Sequence, residues 1–246
     1  MSLKPDAAQK GPQNQTPMPQ LSLCIPHISE IARIPEFIAD VTSFFAKFPI
    51  QYEVLLAAPR SKTFPALSAM PPNFHRVPVQ SAKAKAQNLA LLFAEARGEF
   101  LIATELDLSI PLSECFKILQ EFFANDEVQA VFGDRTQKKK KLENTTYSTR
   151  LTGIETFFKG IIHDKTSWKF QDPFCPVFAL RKTAFTSMQS ELCARGWHLT
   201  PEVQLSALKG NLVTQEIPLY AGSRSHEKAP VVREILGLLN FVLFRI

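Results

Sequence analysis

Two carboxylates separated by one residue, Glu105 and Asp107, come directly after a short apolar run in this sequence. The run, Phe100 to Thr104, follows shortly after a glycine and is typical of a buried strand. In open α/β sheets ligands bind beyond the carboxyl ends of the strands, and the two acids fall at such an end. Their oxygens could share a hard divalent cation there. The alternative is a solvated loop between a strand and a helix, since acid-x-acid patterns are common.

A pair of lysines at the start of a predicted helix is the second candidate for chemistry. Lys83 and Lys85 begin the helical pattern of Ala82–Ala96. Cations at a helix N-terminus oppose the helix dipole, so their presence there suits an anionic ligand. The alternative is that both lysines are simply solvated in the first turn of the helix.

The elements that position these residues alternate between strands and helices. Strands are predicted over Leu21–Ile25, Tyr52–Ala57, Arg76–Val79, Phe100–Thr104, Val128–Phe132, Phe174–Leu180 and Leu212–Leu219. Helices are predicted from Ile34 onward and over Ala82–Ala96, Pro111–Ala124, Tyr147–Ile162 and Pro201–Leu208, with Ser109 as a candidate cap. As far as the strand that ends at Phe132, this order is typical of a parallel, doubly wound sheet.

The two ends of the chain differ from the middle and divide it into three segments. Residues 1–20 are polar, lack the apolar centre of a signal peptide and are predicted to be disordered. Residues 21–229 are predicted to form the α/β domain. Residues 230–246 are apolar nearly all round but too short to span a bilayer comfortably. We expect a helix that lies in a membrane interface, the alternatives being burial in the core or dimerisation.

Composition narrows the classes of partner. The net charge is +5 and the sequence pI is about 9.0, which suits anionic ligands or an anionic membrane face. This excess is too small to indicate nucleic acid, and three Tyr and two Trp beside twenty Phe offer few platforms for base stacking. The four cysteines are scattered without metal-ligand spacing, so we predict reduced core thiols and a reducing cytoplasm.

Beyond the acid pair, a series of short motifs occurs along the chain in a fixed order. In sequence they are Ile25-Pro26 with Glu30, Lys85, Ala96-Arg97-Gly98-Glu99-Phe100, Glu105-Leu106-Asp107-Leu108-Ser109-Ile110-Pro111, Gly133-Asp134-Arg135, Asp172 to Arg181, and Gly196-Trp197 with Glu202. Together these motifs resemble the family-two glycosyltransferases of the GT-A fold, most closely the polyprenyl-phosphate sugar transferases, over about Leu21 to Arg245. The resemblance implies a doubly wound, mostly parallel sheet flanked by helices.

The resemblance also implies roles for individual residues. Glu105 and Asp107 would hold Mg²⁺ or Mn²⁺ against the diphosphate of a nucleotide-sugar donor, with Asp107 also catalytic. Phosphate oxygens would be clamped by Arg135, Arg150 and Lys228, and the rest of the donor site would comprise Pro26, Glu30 and Lys85. The expected acceptor is a polyprenyl phosphate or a related lipid phosphate. Because such an acceptor is already anionic, no protein general base is required.

The expected activity is therefore an inverting sugar transfer by a cytoplasmic protein that is peripheral on an anionic membrane surface, with no nucleic-acid partner. The alternative is a binding or scaffolding module that has the same fold without catalysis. It is motivated by Ala58-Pro59-Arg60-Ser61, which stands where the family has Asp-Asp-Gly-Ser, and by Ala84, Ala86 and Gln87, which replace the glycines beside the family's lysine.

Overall fold

A computed structural model describes most of the α/β domain, namely residues 18–28, 30–60, 70–81, 84–136, 156–157, 159–161, 163, 168–192 and 199–220. Seven strands form one sheet: β1 (Leu21–Ile25), β2 (Tyr52–Pro59), β3 (Phe74–Val79), β4 (Phe100–Ala103), β5 (Ala130–Asp134), β6 (Phe178–Arg181) and β7 (Thr214–Pro218). The main helices are α1 (Ile34–Phe45), α2 (Lys85–Glu95), α3 (Leu112–Ala124), α4 (Lys182–Met188) and α5 (Thr200–Lys209). Through β5 the elements follow the predicted order, in which the short strand β3 comes directly after β2 and before α2.

The strand order across the sheet is β3-β2-β1-β4-β6-β5-β7. All neighbouring pairs are parallel except those of β6, which runs antiparallel to both β4 and β5. The chain therefore forms a doubly wound, mostly parallel sheet, which confirms the predicted fold class. Because β1 and β4 are adjacent and parallel, their carboxyl ends open at the same edge.

Helices cover both faces of the sheet, and the alternation of side chains along β1 shows how. Leu21, Leu23 and Ile25 pack into one core with α1 and α3, whereas Cys24 points into a second core with α2, α4 and α5. Successive residues of a strand face opposite sides, so a largely apolar strand contributes to two cores. This explains why the central strands read as continuous apolar runs.

Several boundaries differ from those predicted by a few residues, and three of the differences have a clear local cause. Helix α2 begins at Lys85 rather than Ala82, because Ala84 has a non-helical backbone with φ −97° and ψ 57°. Strand β5 is shifted by two residues, since the segment before it closes a turn in which Val128 N donates to the Asn125 carbonyl. Strand β6 begins at Phe178, because a turn and Pro176 precede it and proline cannot donate to a ladder.

Several predictions lie outside the described residues. They concern the tail except residues 18–20, most of the helix Tyr147–Ile162, the lysine run 138–141, the segment 230–246, Lys83, Arg150, Cys193, Gly196-Trp197 and Lys228. Within the ranges that are described, no helix is both long and apolar enough to cross a bilayer. The three cysteines there, Cys24, Cys115 and Cys175, are buried and not in disulfides, and burial raises the pKa of Cys115 to about 12.

The Arg97-Gly98 motif, which matches the family closely, lies at the amino ends of the strands, opposite the acid pair. Glu53 of β2 is buried there and accepts hydrogen bonds from Ser22 Oγ at 2.7 Å and from Arg97 N at 2.6 Å. Gly98 N donates to Ser22 Oγ at 2.8 Å, and a Cβ on Gly98 would lie 2.6 Å from the same oxygen. The motif therefore joins three neighbouring strands and contributes to stability.

Replacing Gly133 with alanine is expected to lower the free energy of unfolding by about 1–3 kcal/mol. A Cβ at Gly133 would lie 2.4 Å from Leu219 Cδ1 and 2.7 Å from Cys175 Sγ, so the core must shift. Urea denaturation measures the loss. Gly160→Ala is the control, because a Cβ there meets nothing within 4 Å. Equal stability changes in the two variants would contradict the steric explanation.

Candidate functional site

A cleft of about 320 Å³, part of it open to solvent, lies where the carboxyl ends of β1 and β4 meet the start of α2. Its polar side is formed by Lys85, Thr104 and Glu105, and its apolar side by Leu89 and Phe178. The remaining lining residues are Pro26, Ala86, Pro176, Leu199 and Thr200.

The acid pair stands on a tight turn that follows β4. Leu108 N donates to the Glu105 carbonyl at 3.1 Å, and Leu108 has a positive φ of 49°. Leu106 and Leu108 are buried in the core and anchor the turn. A positive φ is costly for a residue with a γ-branched side chain, so the packing of the leucines must hold this conformation.

Ser109 connects the two acids. Its backbone N donates to Asp107 Oδ1 at 2.9 Å, and its hydroxyl donates to Glu105 Oε2 at 3.0 Å. The prediction that Ser109 caps the following helix is wrong, because Pro111 occupies the N-cap position of α3 and no side chain caps it. The hydroxyl is committed to the acid pair instead.

Lys85 approaches the acid pair from the first position of α2. Its Nζ donates to Glu105 Oε1, and the lysine is buried. Burial by itself would raise the pKa of Glu105, but the Lys85 ammonium, the Ser109 hydroxyl and the field of Arg135 together lower it below its usual range. The carboxylate is therefore ionised and forms a compact ion pair with the lysine.

The Glu105 ion pair gives a testable dependence of stability on pH. Because the pKa of Glu105 is lower in the folded state, its ionised form contributes stability above the unfolded value of about 4.3. This contribution is lost as the pH falls through the folded-state pKa. We expect the stability gap between the native protein and Glu105→Gln, measured by thermal unfolding, to be largest near neutral pH and to shrink in acid. A constant gap would contradict the assignment.

Arg135 is held at the carboxyl end of β5 by Asp172. The guanidinium donates from Nε to Oδ2 at 2.7 Å and from Nη2 to Oδ1 at 3.0 Å, while Arg135 N also donates to Oδ2 at 3.1 Å. Glu216 of β7 fixes the segment that carries Asp172, accepting from Gln171 N at 2.8 Å and Asp172 N at 2.9 Å. Burial raises the pKa of Glu216.

The structure brings some of the predicted residues together and leaves others apart. Pro26, Lys85 and Glu105 line the cleft, and Ser109 ties Asp107 to Glu105. Glu30 is half exposed and forms an ion pair with Arg33 at 2.8 Å, away from the cleft lining. The roles predicted for the described residues stay predictions, as do those of Arg150 and Lys228, which lie outside the described part of the chain.

Sequence reasoning missed three residues that build the site. Asn88 joins the end of β1 to α2, since its side-chain nitrogen donates to the Pro26 carbonyl at 3.1 Å and the Ser81 carbonyl at 3.0 Å. Asp172 and Glu216 orient Arg135. Asp172 opens one of the motifs and could have been singled out as a lone acid before a strand. No local signal marks Glu216, whose role depends on the pairing of β5 with β7.

The acid pair does not fit a shared metal site as it stands. Carboxylate oxygens suit a hard cation, but Glu105 uses one oxygen for Lys85 and the other for Ser109. Asp107 Oδ1 accepts from Ser109 N. Among the residues whose positions are described, no three His, Cys, Asp or Glu side chains are grouped to hold a metal ion. Glu105 and Asp107, which we expected to share Mg²⁺ or Mn²⁺, therefore do not present a ready set of ligands.

Comparison with known proteins decides the fold. No protein-family model and no curated protein matches the chain. It is similar to the solved structure of mannosyl-3-phosphoglycerate synthase from Rubrobacter xylanophilus, with a TM-score of 0.60 and 13% identity over 92% of this chain and 74% of that one. It is also similar to glucosyl-3-phosphoglycerate synthase from Mycobacterium tuberculosis, with a TM-score of 0.58 and 13% identity over 92% and 77% of the two chains.

This chain has the GT-A fold. A mannosyltransferase from Pyrobaculum calidifontis in complex with GDP-Man and Mn²⁺ is similar as well, with a TM-score of 0.51 and 14% identity over 96% of this chain and 74% of that one. The Mycobacterium tuberculosis structure contains Mn²⁺, UDP and glucosyl-3-phosphoglycerate. At these identities the GT-A likeness establishes architecture, and activity has to be argued from the site.

Proposed function

We propose that this GT-A chain is a glycosyltransferase that takes a sugar from a nucleotide-sugar donor. The observation that carries the proposal is the cleft at the carboxyl ends of β1 and β4, where Lys85 stands beside Glu105. This is the edge at which doubly wound sheets bind nucleotides. The structural neighbours that contain GDP-Man or UDP support a nucleotide-linked donor for the same fold.

The proposed reaction is a single displacement at the anomeric carbon. An anionic oxygen of the acceptor forms a bond to C1 of the sugar while the bond from C1 to the diphosphate oxygen breaks. The nucleoside diphosphate leaves with the bonding electrons, and the sugar is inverted at C1. Positive charge that faces the departing diphosphate lowers the barrier, and Lys85 and Arg135 are the candidates for supplying it. Arg150 and Lys228 are proposed as further phosphate contacts on the sequence resemblance alone.

For the acceptor we propose a polyprenyl phosphate or a related lipid phosphate at a membrane face. The support is the sequence resemblance, the net charge of +5 and the apolar composition of residues 230–246. The rival is a small phosphate-bearing acceptor, since two structural neighbours are named as 3-phosphoglycerate-glycosylating synthases. Both acceptors carry a phosphate group, so the same basic residues could contact either one.

A vesicle experiment tests the membrane part of this proposal. The full chain and a variant that ends before Pro230 are sedimented with vesicles that contain anionic lipid. We expect the full chain to pellet and the shortened chain to stay in the supernatant. Equal pelleting of both would show that residues 230–246 do not anchor the protein, and absence of pelleting for both would favour a small acceptor.

The donor is tested by thermal unfolding in the presence of UDP, GDP and their sugar derivatives. Ligands that bind the folded state raise the melting temperature in proportion to the logarithm of their excess over the dissociation constant. We expect one nucleotide to stabilise the protein, and its sugar derivative to be consumed when an acceptor is added. A well-folded protein that responds to no nucleotide would contradict the proposed function.

A second candidate, a binding module without catalysis, is favoured by the end of β2. The residues there are Ala58 and Pro59, both buried, in place of the acids that the resembled family uses. Such a module would bind a nucleotide-sugar without consuming it. Turnover measurements on the donor found by thermal unfolding separate the two candidates.

A further inference from the structure

We propose that the Lys85 ammonium, rather than a divalent cation held by Glu105 and Asp107, supplies the positive charge that binds the donor diphosphate, with Glu105 as the counter-ion that positions the lysine. This inference rests on the proposed function, because it assumes a diphosphate in the cleft. It departs from the neighbours that contain Mn²⁺. It also assigns Glu105 a positioning role in place of the predicted metal-ligand role.

The position of Lys85 is the first step of the argument. A cation at the first position of a helix opposes the helix dipole, so it gives α2 no stability in that place. The lysine is buried nonetheless, and it lines the cleft together with Glu105, which its ammonium contacts. Burial of a charge requires a partner, which Glu105 provides. Glu105 holds Lys85 at a helix position that does not favour a cation. This placement of the lysine in the cleft indicates an anionic ligand.

The second step is that both oxygens of Glu105 already accept a hydrogen bond. A divalent cation bound to Glu105 would have to displace the Lys85 ammonium or the Ser109 hydroxyl, or share an oxygen with one of them. Displacing the hydroxyl would leave two cations on one half-buried carboxylate, where they repel each other.

The third step concerns the neighbouring carboxylates. Asp172 is satisfied by the two-pronged contact with Arg135, and Asp107 accepts from Ser109 N and lies in the field of Arg33. Glu105 and Asp172 are therefore already paired with cations, and Asp107 Oδ1 already accepts from an N–H donor. A diphosphate that enters the cleft meets Lys85 together with the backbone N–H groups at the start of α2, which favour anions.

Calorimetric titration of the full chain with UDP and with GDP tests the inference, each in excess EDTA and in excess MnCl₂. We expect the nucleotide that binds to do so in EDTA, with a dissociation constant that MnCl₂ changes by less than about threefold. Lys85→Gln should weaken this binding by about thirtyfold or more, whereas Lys85→Arg, which keeps the charge, should weaken it less. Lys117→Gln is the matched control, since Lys117 pairs with Glu114 outside the cleft lining and should have no effect.

Glu105→Gln separates the two roles of that residue. Without the Glu105 carboxylate the lysine keeps its charge but is held less firmly, so binding in EDTA should persist and be weakened less than by Lys85→Gln. Binding that requires MnCl₂ in the native protein and disappears in Glu105→Gln would overturn the inference while leaving the proposed function intact. Absence of UDP and GDP binding with and without MnCl₂ would overturn both.

Discussion

Replacing Asp172 with asparagine is expected to lower the free energy of unfolding by about 3 kcal/mol. The carboxylate is 0% exposed and accepts four hydrogen bonds, three from Arg135 and one from Phe174 N at 3.1 Å. Asparagine offers only one acceptor oxygen and points an NH₂ group at groups that are themselves donors. In addition, the half-buried Arg135 guanidinium loses the carboxylate that balances its charge. Urea denaturation with a common slope measures the loss.

Asp126→Asn is the matched control for this substitution. Asp126 also faces an arginine, Arg181, at 3.7 Å, but its side chain is 98% exposed. Exposed pairs contribute about 0–1 kcal/mol, so its replacement should be nearly silent. If both variants lost the same stability, burial of the Asp172 pair would not be the cause. If the cleft binds a diphosphate, Asp172→Asn should also weaken that binding, because Arg135 is no longer held in place.

Replacing Glu53 with glutamine is expected to cost about 3 kcal/mol of folding free energy as well. Glu53 is 2% exposed and accepts from Ser22 Oγ, Arg97 N and Arg97 Nε, the last at 2.9 Å. These contacts join β1, β2 and the approach to β4 at the end of the sheet opposite the cleft. Nucleotide binding should therefore be unchanged in this variant at temperatures where it is folded, which a titration checks.

Glu99→Gln is the control, since Glu99 also pairs with an arginine, Arg181, at 2.7 Å, yet its side chain is 59% exposed. We expect a loss below about 1 kcal/mol. The pH dependence provides a second check. Burial alone would raise the pKa of Glu53, but its hydrogen bonds and Arg97 lower it, so its contribution is present above the unfolded pKa and lost in acid. An acid-insensitive difference between the native protein and Glu53→Gln would contradict this account.

The order of the motifs predicted the fold but not what each motif does. The Arg97-Gly98 motif lies far from the cleft and holds the amino ends of the strands through Glu53. Nothing in the sequence around it points to Glu53, which lies 44 residues away from Arg97. A sequence motif can therefore reflect a structural requirement as well as a catalytic one.

The candidate site was predicted in outline from the strand that ends before Glu105. The placement of this acid and Lys85 at one edge follows from parallel strands having their carboxyl ends together. We predicted that Glu105 and Asp107 share a metal ion because they are close in sequence. In the folded chain Glu105 pairs with a lysine twenty residues earlier, and a local pattern carries no information on that partner.

The sequence by itself determined where the strands and helices lie and which of their faces are apolar. Apolar runs such as Leu21–Ile25 and the spacing of the α1 residues are local, because strand and helix periods are set within a few residues of the chain. Only the tertiary structure decided the antiparallel direction of β6, the Lys85–Glu105 pair and the hold of Asp172 and Glu216 on Arg135. These depend on which strand ends become neighbours in the sheet, and that is settled when distant parts of the chain bury their apolar faces together.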